Sequence, residues 1–424
     1  LYSSGWDKKI RRWNLETQQE VTSSKSPYVT SVIAASSDGK WIAIAYEKNR
    51  IGLISAKDGT ERQVIETDGI SCSAIAFNHA STHMAWGGET KDEVHVVVWN
   101  IAESKKQYHW KWNKGADPNS DINALTFSPD DRKIAGVVFR QNAGYAWDIS
   151  NGHEIAHLDH RGVYDVDFTA DGKSLLTVGW DSEVQTWNAA NGAMESSHKL
   201  DKKQHDSRMY GVSCSSTGRI FATAHIGKAI RVWSIPNMEM RQLMTTDQFI
   251  FGAISFSPDG LWLVSGAMSG AVNLWDPWTG ELVMNIGKHD SHVYSVGFGE
   301  TVCDLYSGAS DGICRVWNLE RPEANVGNSL SSIWKSFKDG TADRSFQAMI
   351  ELSKRPEEAL QLIQSDLSAF NDTVVRDDHD VMPRRYVALL SMLKTKNAQY
   401  FLLDISNRPQ NDWLAKMARA SIRR

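Results

Sequence analysis

The sequence predicts a mainly-β fold in which seven or eight four-stranded units close into a ring, followed by a small all-α region. Three observations predict it. The 424 residues include 17 tryptophans, and seven recur at one place in a repeating pattern: Trp13, Trp99, Trp147, Trp187, Trp233, Trp275 and Trp317, with Ile54 holding that place in one further unit. Successive positions are 40 to 48 residues apart, Trp147 to Trp187 being the shortest step and Trp99 to Trp147 the longest. At this period each repeat is one supersecondary unit that buries its faces against its neighbours. Between the tryptophans, short alternating runs are bounded by Gly, Asp and Asn turns. From Asn328 those turns stop and apolar residues recur at helical spacing.

One unit shows the grammar in full. Val163-Tyr-Asp-Val-Asp-Phe168 alternates as a half-buried strand. Thr169-Ala-Asp-Gly-Lys173 is a turn in which Gly supplies the positive φ. Ser174 to Val178 is a second strand, Gly179-Trp-Asp181 a tight turn, Val184 to Asn188 a third strand, and Asn191-Gly192 the turn into an outermost fourth. The same order recurs with Ser128-Pro-Asp130 before Trp147-Asp148, and with Ser257-Pro-Asp-Gly260 before Trp275-Asp276. The chain opens at Leu1 inside a unit, so it reads as a fragment or a processed product. After Trp317, Glu320-Arg-Pro-Glu-Ala324 has no strand pattern, so the last unit needs its outer strand from elsewhere. If residues before Leu1 provide it, the ring has eight units. If residues 17–22 do, it has seven and Lys8 to Trp13 is left over. Eight is the favoured count.

On these recurrences residues 1–323 resemble the WD40 β-propeller family. The resemblance implies a buried tetrad in well-formed blades: Asp accepts from an imidazole, which accepts from a hydroxyl, which accepts from an indole N–H. The last unit carries all four members as His289, Ser307, Asp311 and Trp317. The opening unit keeps Ser3, Asp7 and Trp13. The unit at 161–190 keeps Thr177, Asp181 and Trp187, with His160 one position out of register. The unit at 205–234 keeps His205, Thr223 and Trp233, with Gly227 in place of Asp. Units ending near Ile54, Trp99 and Trp147 have lost most of the set, so apolar packing must hold them.

The tail, residues 324–424, is predicted helical. Phe346, Met349 and Ile350, then Ala359, Leu360, Ile363 and Leu367, share helix faces. Arg355-Pro356-Glu-Glu reads as a helix start, with Pro in the first turn and acids at the positive end. The polar stretch Asn371 to Asp380 links to helices over about 383–393, 398–405 and 412–422. The tail resembles HEAT-like repeats and the helical extensions of some bacterial WD-repeat proteins; by analogy with capping repeats it is expected to pack as a cap on the last blade, with a surface for a second partner as the alternative.

Composition narrows the function. With 23% charged residues and a net charge of −5 there is no basic stripe for nucleic acid. No run of 18 apolar residues can span a bilayer as a helix. The four cysteines, Cys72, Cys214, Cys303 and Cys314, form no C-x-x-C pair, and Cys72 and Cys214 sit in apolar strand patterns, which leans toward the cytoplasm. His153-Glu-Ile-Ala-His157 spells a zinc-protease motif, but its position puts it on an outermost strand. There residues four apart are separated by about 13 Å, too far to share one metal. His289-Asp290 with His292, and His205-Asp206, could pass for acid/base pairs, yet they fall where the tetrad His belongs. No P-loop, G-x-S-x-G or dinucleotide fingerprint is present, and no residue set calls for a cofactor or metal. The third-strand Arg11, Arg12, Arg231 and Arg315 read as a solvated face, with a patch for acidic partners as the alternative.

The predicted function is a non-enzymatic scaffold that binds other proteins or peptides, with no nucleic acid partner and no membrane span. The alternative is the regulatory or sensory part of a larger enzyme whose catalytic domain lies upstream of Leu1. Within the family, partners contact the residue after the opening apolar position of each first strand and the residue before the tetrad Asp. Carried over, the first set is Thr30, Ser73, Asn123, Tyr164, Tyr210, Gly252 and Tyr294, and the second includes Trp6, Trp180, Met268 and Ser310. Large aromatics at such positions make interface hot spots, so Trp6, Tyr164, Trp180, Tyr210 and Tyr294 form the expected partner-binding rim.

Overall fold

The structure, a computed structural model, describes the chain except for residues 1, 5–8, 15–18, 26–29, 47–48, 56–59, 116, 201–207, 227, 236, 246–248, 300–303, 311–313, 320–328, 370–380, 394, 408–414, 416–417, 420–421 and 423–424. Trp6, His205, Asp206, Asp311 and the helix expected over most of 412–422 lie outside the described residues.

Among the described residues thirty strands form eight antiparallel sheets, each built from consecutive strands. The first contains β1 (Tyr2–Ser4), β2 (Lys9–Asn14) and β3 (Gln19–Lys25). The second contains β4 (Thr30–Ala35), β5 (Trp41–Tyr46), β6 (Arg50–Ser55) and β7 (Glu61–Glu66). The third contains β8 (Ser71–Phe77), β9 (His83–Glu89), β10 (Glu93–Asn100) and β11 (Lys105–Asn113). The fourth contains β12 (Asp121–Phe127), β13 (Lys133–Phe139), β14 (Ala143–Asp148) and β15 (Glu154–Asp159). The fifth contains β16 (Val163–Phe168), β17 (Ser174–Gly179), β18 (Glu183–Asn188) and β19 (Met194–Lys199). The sixth contains β20 (Met209–Cys214), β21 (Ile220–His225), β22 (Ala229–Ser234) and β23 (Met240–Thr245). The seventh contains β24 (Ile250–Phe256), β25 (Leu263–Ala267), β26 (Ala271–Trp275) and β27 (Leu282–Lys288). The eighth contains β28 (Val293–Phe298), β29 (Asp304–Ala309) and β30 (Cys314–Asn318).

Six of these sheets are complete four-stranded blades of a propeller; the first and eighth have three strands. Each first strand from β4 to β28 lies beside the next, and β28 and β29 come back beside β4. That seam holds a cavity of about 230 Å³ lined by small and apolar residues that include Ala34, Ala35, Phe77 and Gly308. Residues 19–22 do not close the ring. Thr22 pairs with Arg12 and Glu20 with Trp13, so they belong to the sheet of Trp13 itself.

Local chemistry explains the repeated strand–turn–strand. In Ser36-x-Asp38, Ser128-x-Asp130 and Ser257-x-Asp259 the serine hydroxyl donates to the aspartate at 2.7, 2.6 and 2.5 Å. The same hydroxyl accepts the backbone N–H five residues on, from Trp41, Lys133 and Trp262, each at 2.9 Å. The turn therefore satisfies its own polar groups before any tertiary contact forms. His157, from the zinc-protease look-alike, pairs with Tyr145 across β15 and β14, so the motif lies on an extended strand.

Among the described residues five helices follow: α1 (Leu330–Asp339), α2 (Ala342–Ser353), α3 (Pro356–Ala369), α4 (Val381–Leu393) and α5 (Lys396–Ser406). Their apolar faces share one core with the seventh blade, where Leu261, Trp262 and Trp278 meet Trp334, Phe337 and Phe346. The core also takes in Leu319, after β30, and Trp317 and Phe298 of the eighth sheet, so the helices meet the seventh blade as well as the last. Two large aromatics in the outward turns of the seventh blade, Trp262 before β25 and Trp278 before β27, give the helices their apolar landing. Among the described residues no helix is long and apolar enough to cross a membrane.

Candidate interaction surface

Consecutive turns of an antiparallel blade alternate between its two ends. The turns joining first to second and third to fourth strands share one end, and the helices dock there through Trp262 and Trp278. The other end carries the turns joining second to third strands and the links between blades, and among the described residues the docked helices leave it uncovered.

A recurrent backbone irregularity builds that second end. The strand register skips one residue in the first strand of most blades, at Ser31, Ser73, Asn123, Tyr164, Tyr210 and Tyr294. Such a bulge re-aims its side chain. In the second sheet the skipped residue is Ser31, one position beyond the expected Thr30. In the seventh sheet the skip spans Phe251 to Ala253 around Gly252, whose φ is +80°.

Three of the bulged tyrosines differ in what surrounds them. Tyr164 and Tyr210 join Trp180 and Phe139 in one cluster, with ring centroids 4.9 Å apart for Tyr164–Tyr210, 5.8 Å for Trp180–Tyr210, 6.2 Å for Tyr164–Trp180 and 4.6 Å for Phe139–Trp180. Trp180 can lie this close because Gly179 lets two turns meet. A Cβ on Gly179 would stand 2.4 Å from the Gly162 carbonyl, which also accepts the Trp180 N–H at 2.9 Å. Trp180 is 38% exposed and Tyr294 54%, whereas Tyr210 is only 5% exposed and forms the floor of the cluster. Tyr294 stands apart on the eighth sheet with His292 edge-on at 6.3 Å. Burial, helped by Tyr210, Asp165 and Tyr294, pushes the Tyr164 hydroxyl up to about 12.

Sequence reasoning passed over Phe139, which reads as an ordinary apolar strand end, and Phe249, 45% exposed with Lys228 over its ring at 5.0 Å. Both sit beside turns at this end of the molecule, a position that could have singled them out. Met268 and Ser310 make local bonds there instead, the Met268 N–H to the Phe249 carbonyl and Ser310 to the Ser291 hydroxyl at 2.5 Å.

Beneath this surface lie the polar chains. In the fifth blade Trp187 Nε1 donates to Thr177 Oγ1 at 2.8 Å, Thr177 bonds His160 Nδ1 at 2.7 Å, and His160 Nε2 lies 3.2 Å from Asp181 Oδ1. His160 is fully buried and in place, which corrects its reading as out of register. Gly162, at φ +70°, tightens the link so that a loop one residue shorter delivers the same imidazole. In the sixth blade the imidazole against Thr223 is His225, from the strand itself, at 2.8 Å, and Trp233 donates to Thr223 at 2.8 Å. In the eighth sheet His289 Nε2 meets Ser307 Oγ at 2.7 Å and Trp317 donates to the same oxygen at 2.7 Å.

Blade-to-blade bonds also run between first strands. Asp165 and Asp167 accept the backbone N–H groups of Val212 and Cys214, each at 2.8 Å, and Ser73 donates to Asp121 at 2.7 Å. Lost hydration raises all three carboxyls: Asp165 to about 7, Asp167 to about 6 and Asp121 to about 6. A carboxyl raised in the fold favours its protonated form there. Its contribution to stability is whole below the ordinary value near 4 and is lost as pH rises through about 7. Relative to Asp165→Asn, the native chain should lose thermal stability progressively between about pH 4 and pH 7. Melting curves of both proteins across that range would show it, and a constant difference would refute it.

The family described as "WD domain, G-beta repeat" matches residues 152–188, 246–276 and 280–318, which hold the third strands of the fifth, seventh and eighth sheets with their tryptophans. Over those residues the chain is similar to the WD40 repeat family. Among curated relatives it is 27% identical over 216 residues to the nuclear distribution protein nudF of Aspergillus niger, covering 43% of this chain and 48% of that one. It is 26% identical over 221 residues to autophagy-related protein 16 of Arabidopsis thaliana, covering 47% and 42%, and 20% identical over 282 residues to periodic tryptophan protein 2 of the same plant, covering 65% and 30%. The matches thus span less than half the length of these relatives. All three are eukaryotic, which gives no support to a likeness with bacterial WD-repeat proteins or to a HEAT-like reading of the helices. WD40 propellers act in general as scaffolds that bind other proteins.

Proposed function

We propose that this chain is a non-enzymatic scaffold whose aromatic end receives a protein partner. In this reading residues 1–323 form the propeller, with the three-stranded first and eighth sheets completing a ring of seven or eight blades, and residues 324–424 form a helical extension that leaves the binding end free. The observation that carries the reading is the cluster of Phe139, Tyr164, Trp180 and Tyr210 at bulges and turns, with Trp180 exposed within it and Tyr294 exposed on the eighth sheet. Exposed aromatics held rigid by their neighbours are favourable anchors, because little side-chain entropy remains to be lost on binding.

The test uses the exposed members. Trp180→Ala combined with Tyr294→Ala should fold with an unchanged melting temperature and lose partner capture from cell extract. Loss of one anchor worth about 2 kcal/mol weakens binding roughly thirtyfold, and loss of two acting independently close to a thousandfold. Tyr210 is left intact because truncating a floor residue would disturb the fold. Undiminished capture by the double variant would refute the reading.

A further inference from the structure

Two cations at the aromatic end, Arg161 and Lys228, each stand beside an exposed ring. Arg161 is exposed in the link between the fourth and fifth blades, directly before Gly162, whose carbonyl accepts the Trp180 N–H at 2.9 Å. It is thus anchored next to the exposed Trp180. Lys228, half-buried in the turn between β21 and β22, lies over the ring of Phe249 at 5.0 Å, and Phe249 is 45% exposed. That turn is held against the start of the sixth blade by the Ile226 N–H, which bonds the Arg208 carbonyl at 3.3 Å. Between the two cations lie Trp180 and Tyr210, 5.8 Å apart.

Neither cation has an ion-pair partner among the described residues, whereas the charges around them are matched. Arg140, over Phe139 at 5.4 Å, faces Asp117 at 3.5 Å, and Lys199 is paired with Glu183. Asp181 lies against His160 at 3.2 Å, and Asp165 and Asp167 accept backbone N–H groups. Asp159 is exposed at the outer rim, where β15 ends, and makes no ion pair with Arg161. The third-strand arginines add nothing to this surface. Arg231 is 4% exposed, in the layer of Val212 and Thr223 beneath Tyr210, which corrects its reading as part of a solvated face. Arg315 belongs to the eighth sheet, over Trp317 at 5.8 Å.

We infer that the aromatic end takes a peptide segment in which acidic and apolar residues alternate. Its apolar side chains lie on Trp180 and Phe249, and its carboxylates on Arg161 and Lys228. This deepens the proposed function and rests on it. On a chain of net charge −5, two unmatched cations beside two exposed rings form a local positive patch, and complementary charge selects the partner. The solvent-facing guanidinium of Arg161 can take a carboxylate through two parallel N–H bonds. An ammonium on an aromatic face keeps its charge for a second group, so Lys228 can hold Phe249 and a carboxylate together.

The experiment titrates the full chain with two blocked, labelled peptides that share two phenylalanines, one with four glutamates around them and one with four glutamines. The glutamate peptide should bind at least tenfold tighter, with an affinity that falls as salt rises. Arg161→Gln with Lys228→Gln should erase the preference at an unchanged melting temperature. Lys173→Gln with Lys335→Gln removes the same charge from exposed positions elsewhere and should keep it. Equal affinities, no measurable binding of either peptide, a preference that survives the first pair of changes, or one lost equally with the second pair would overturn the inference. So would a first variant melting more than about 5 °C lower, since the chain itself would then be using the charges. A uridine dodecamer bound more tightly than the glutamate peptide would overturn it in favour of a nucleic acid. If Trp180→Ala with Tyr294→Ala still loses its partner while the two peptides bind alike, the surface remains a partner site and only its acidic ligand is excluded.

Discussion

Replacing Thr177 with Val should lower the unfolding free energy by about 2–4 kcal/mol, although the two side chains have almost the same shape. Thr177 is fully buried, so no water can take over its bonds. Its oxygen accepts the Trp187 indole N–H at 2.8 Å, and its own proton goes to His160 Nδ1 at 2.7 Å. That assignment leaves the proton of His160 on Nε2, facing Asp181. Val removes the oxygen and strands an indole donor and an imidazole acceptor together, and each unsatisfied buried group costs about 1–3 kcal/mol. No cavity forms, so the loss reports the polar chain itself. Urea denaturation of the variant measures it, with Trp99→Phe as the comparison. The Trp99 indole N–H has no partner in the native chain, so that change removes no hydrogen bond. A Thr177→Val loss below that of Trp99→Phe would overturn the argument.

The contrast between these blades also shows what could be read in the sequence. Strands, turns and blade order follow from local chemistry, Ser-x-Asp turns and alternation, and these survive in one chain without help from neighbours. The Trp–hydroxyl pairs were legible as well, because strand register fixes the ten-residue spacing from Thr177 to Trp187 or from Ser307 to Trp317. The imidazoles were less so. His160 depends on a tight Gly162 link, and His225 comes from a strand where the family pattern expects a loop residue. In the third and fourth blades the polar chain is replaced by rings from the long strand β11. Trp110 stacks on Trp147 at 4.9 Å and donates to the Gly152 carbonyl, while Trp112 meets Tyr145 at 4.8 Å. Such substitutions are made across blades, where sequence spacing carries no information. For the same reason Tyr210 looked like an exposed anchor: it is Trp180, 30 residues earlier and on another blade, that covers it. Arg231 looked solvated because charged residues usually are, and only its register beneath Tyr210 places it inside.

Phe346→Ala should cost about 3–5 kcal/mol and destabilise helices and propeller together. Phe346 is fully buried on α2 and meets Trp262 of the seventh blade edge-on at 4.9 Å. Around it the joint is polar as well as apolar. Glu281 of the blade accepts the Ala342 N–H at 3.2 Å, where a carboxylate also suits the positive start of α2. Arg384 of α4 lies over Trp278 at 4.9 Å. Arg385 donates to the carbonyls of Phe337, Lys338 and Gly340 at 3.0, 2.9 and 3.1 Å, which ties α4 to the end of α1. Because these bonds make one core of blade and helices, neither part can lose its half without exposing the other's aromatics. Thermal unfolding should therefore show a single transition, with helical signal at 222 nm and the near-ultraviolet tryptophan signal falling at the same temperature, shifted down equally in Phe346→Ala. Two separated transitions, with the helices melting first and the tryptophan signal intact, would mean the helices are an appended cap. The single-core arrangement has a consequence for binding: the helices stiffen the seventh blade from the end opposite Trp180 and Tyr210, so Phe346→Ala should lower stability while leaving the affinity of the folded fraction for its partner unchanged.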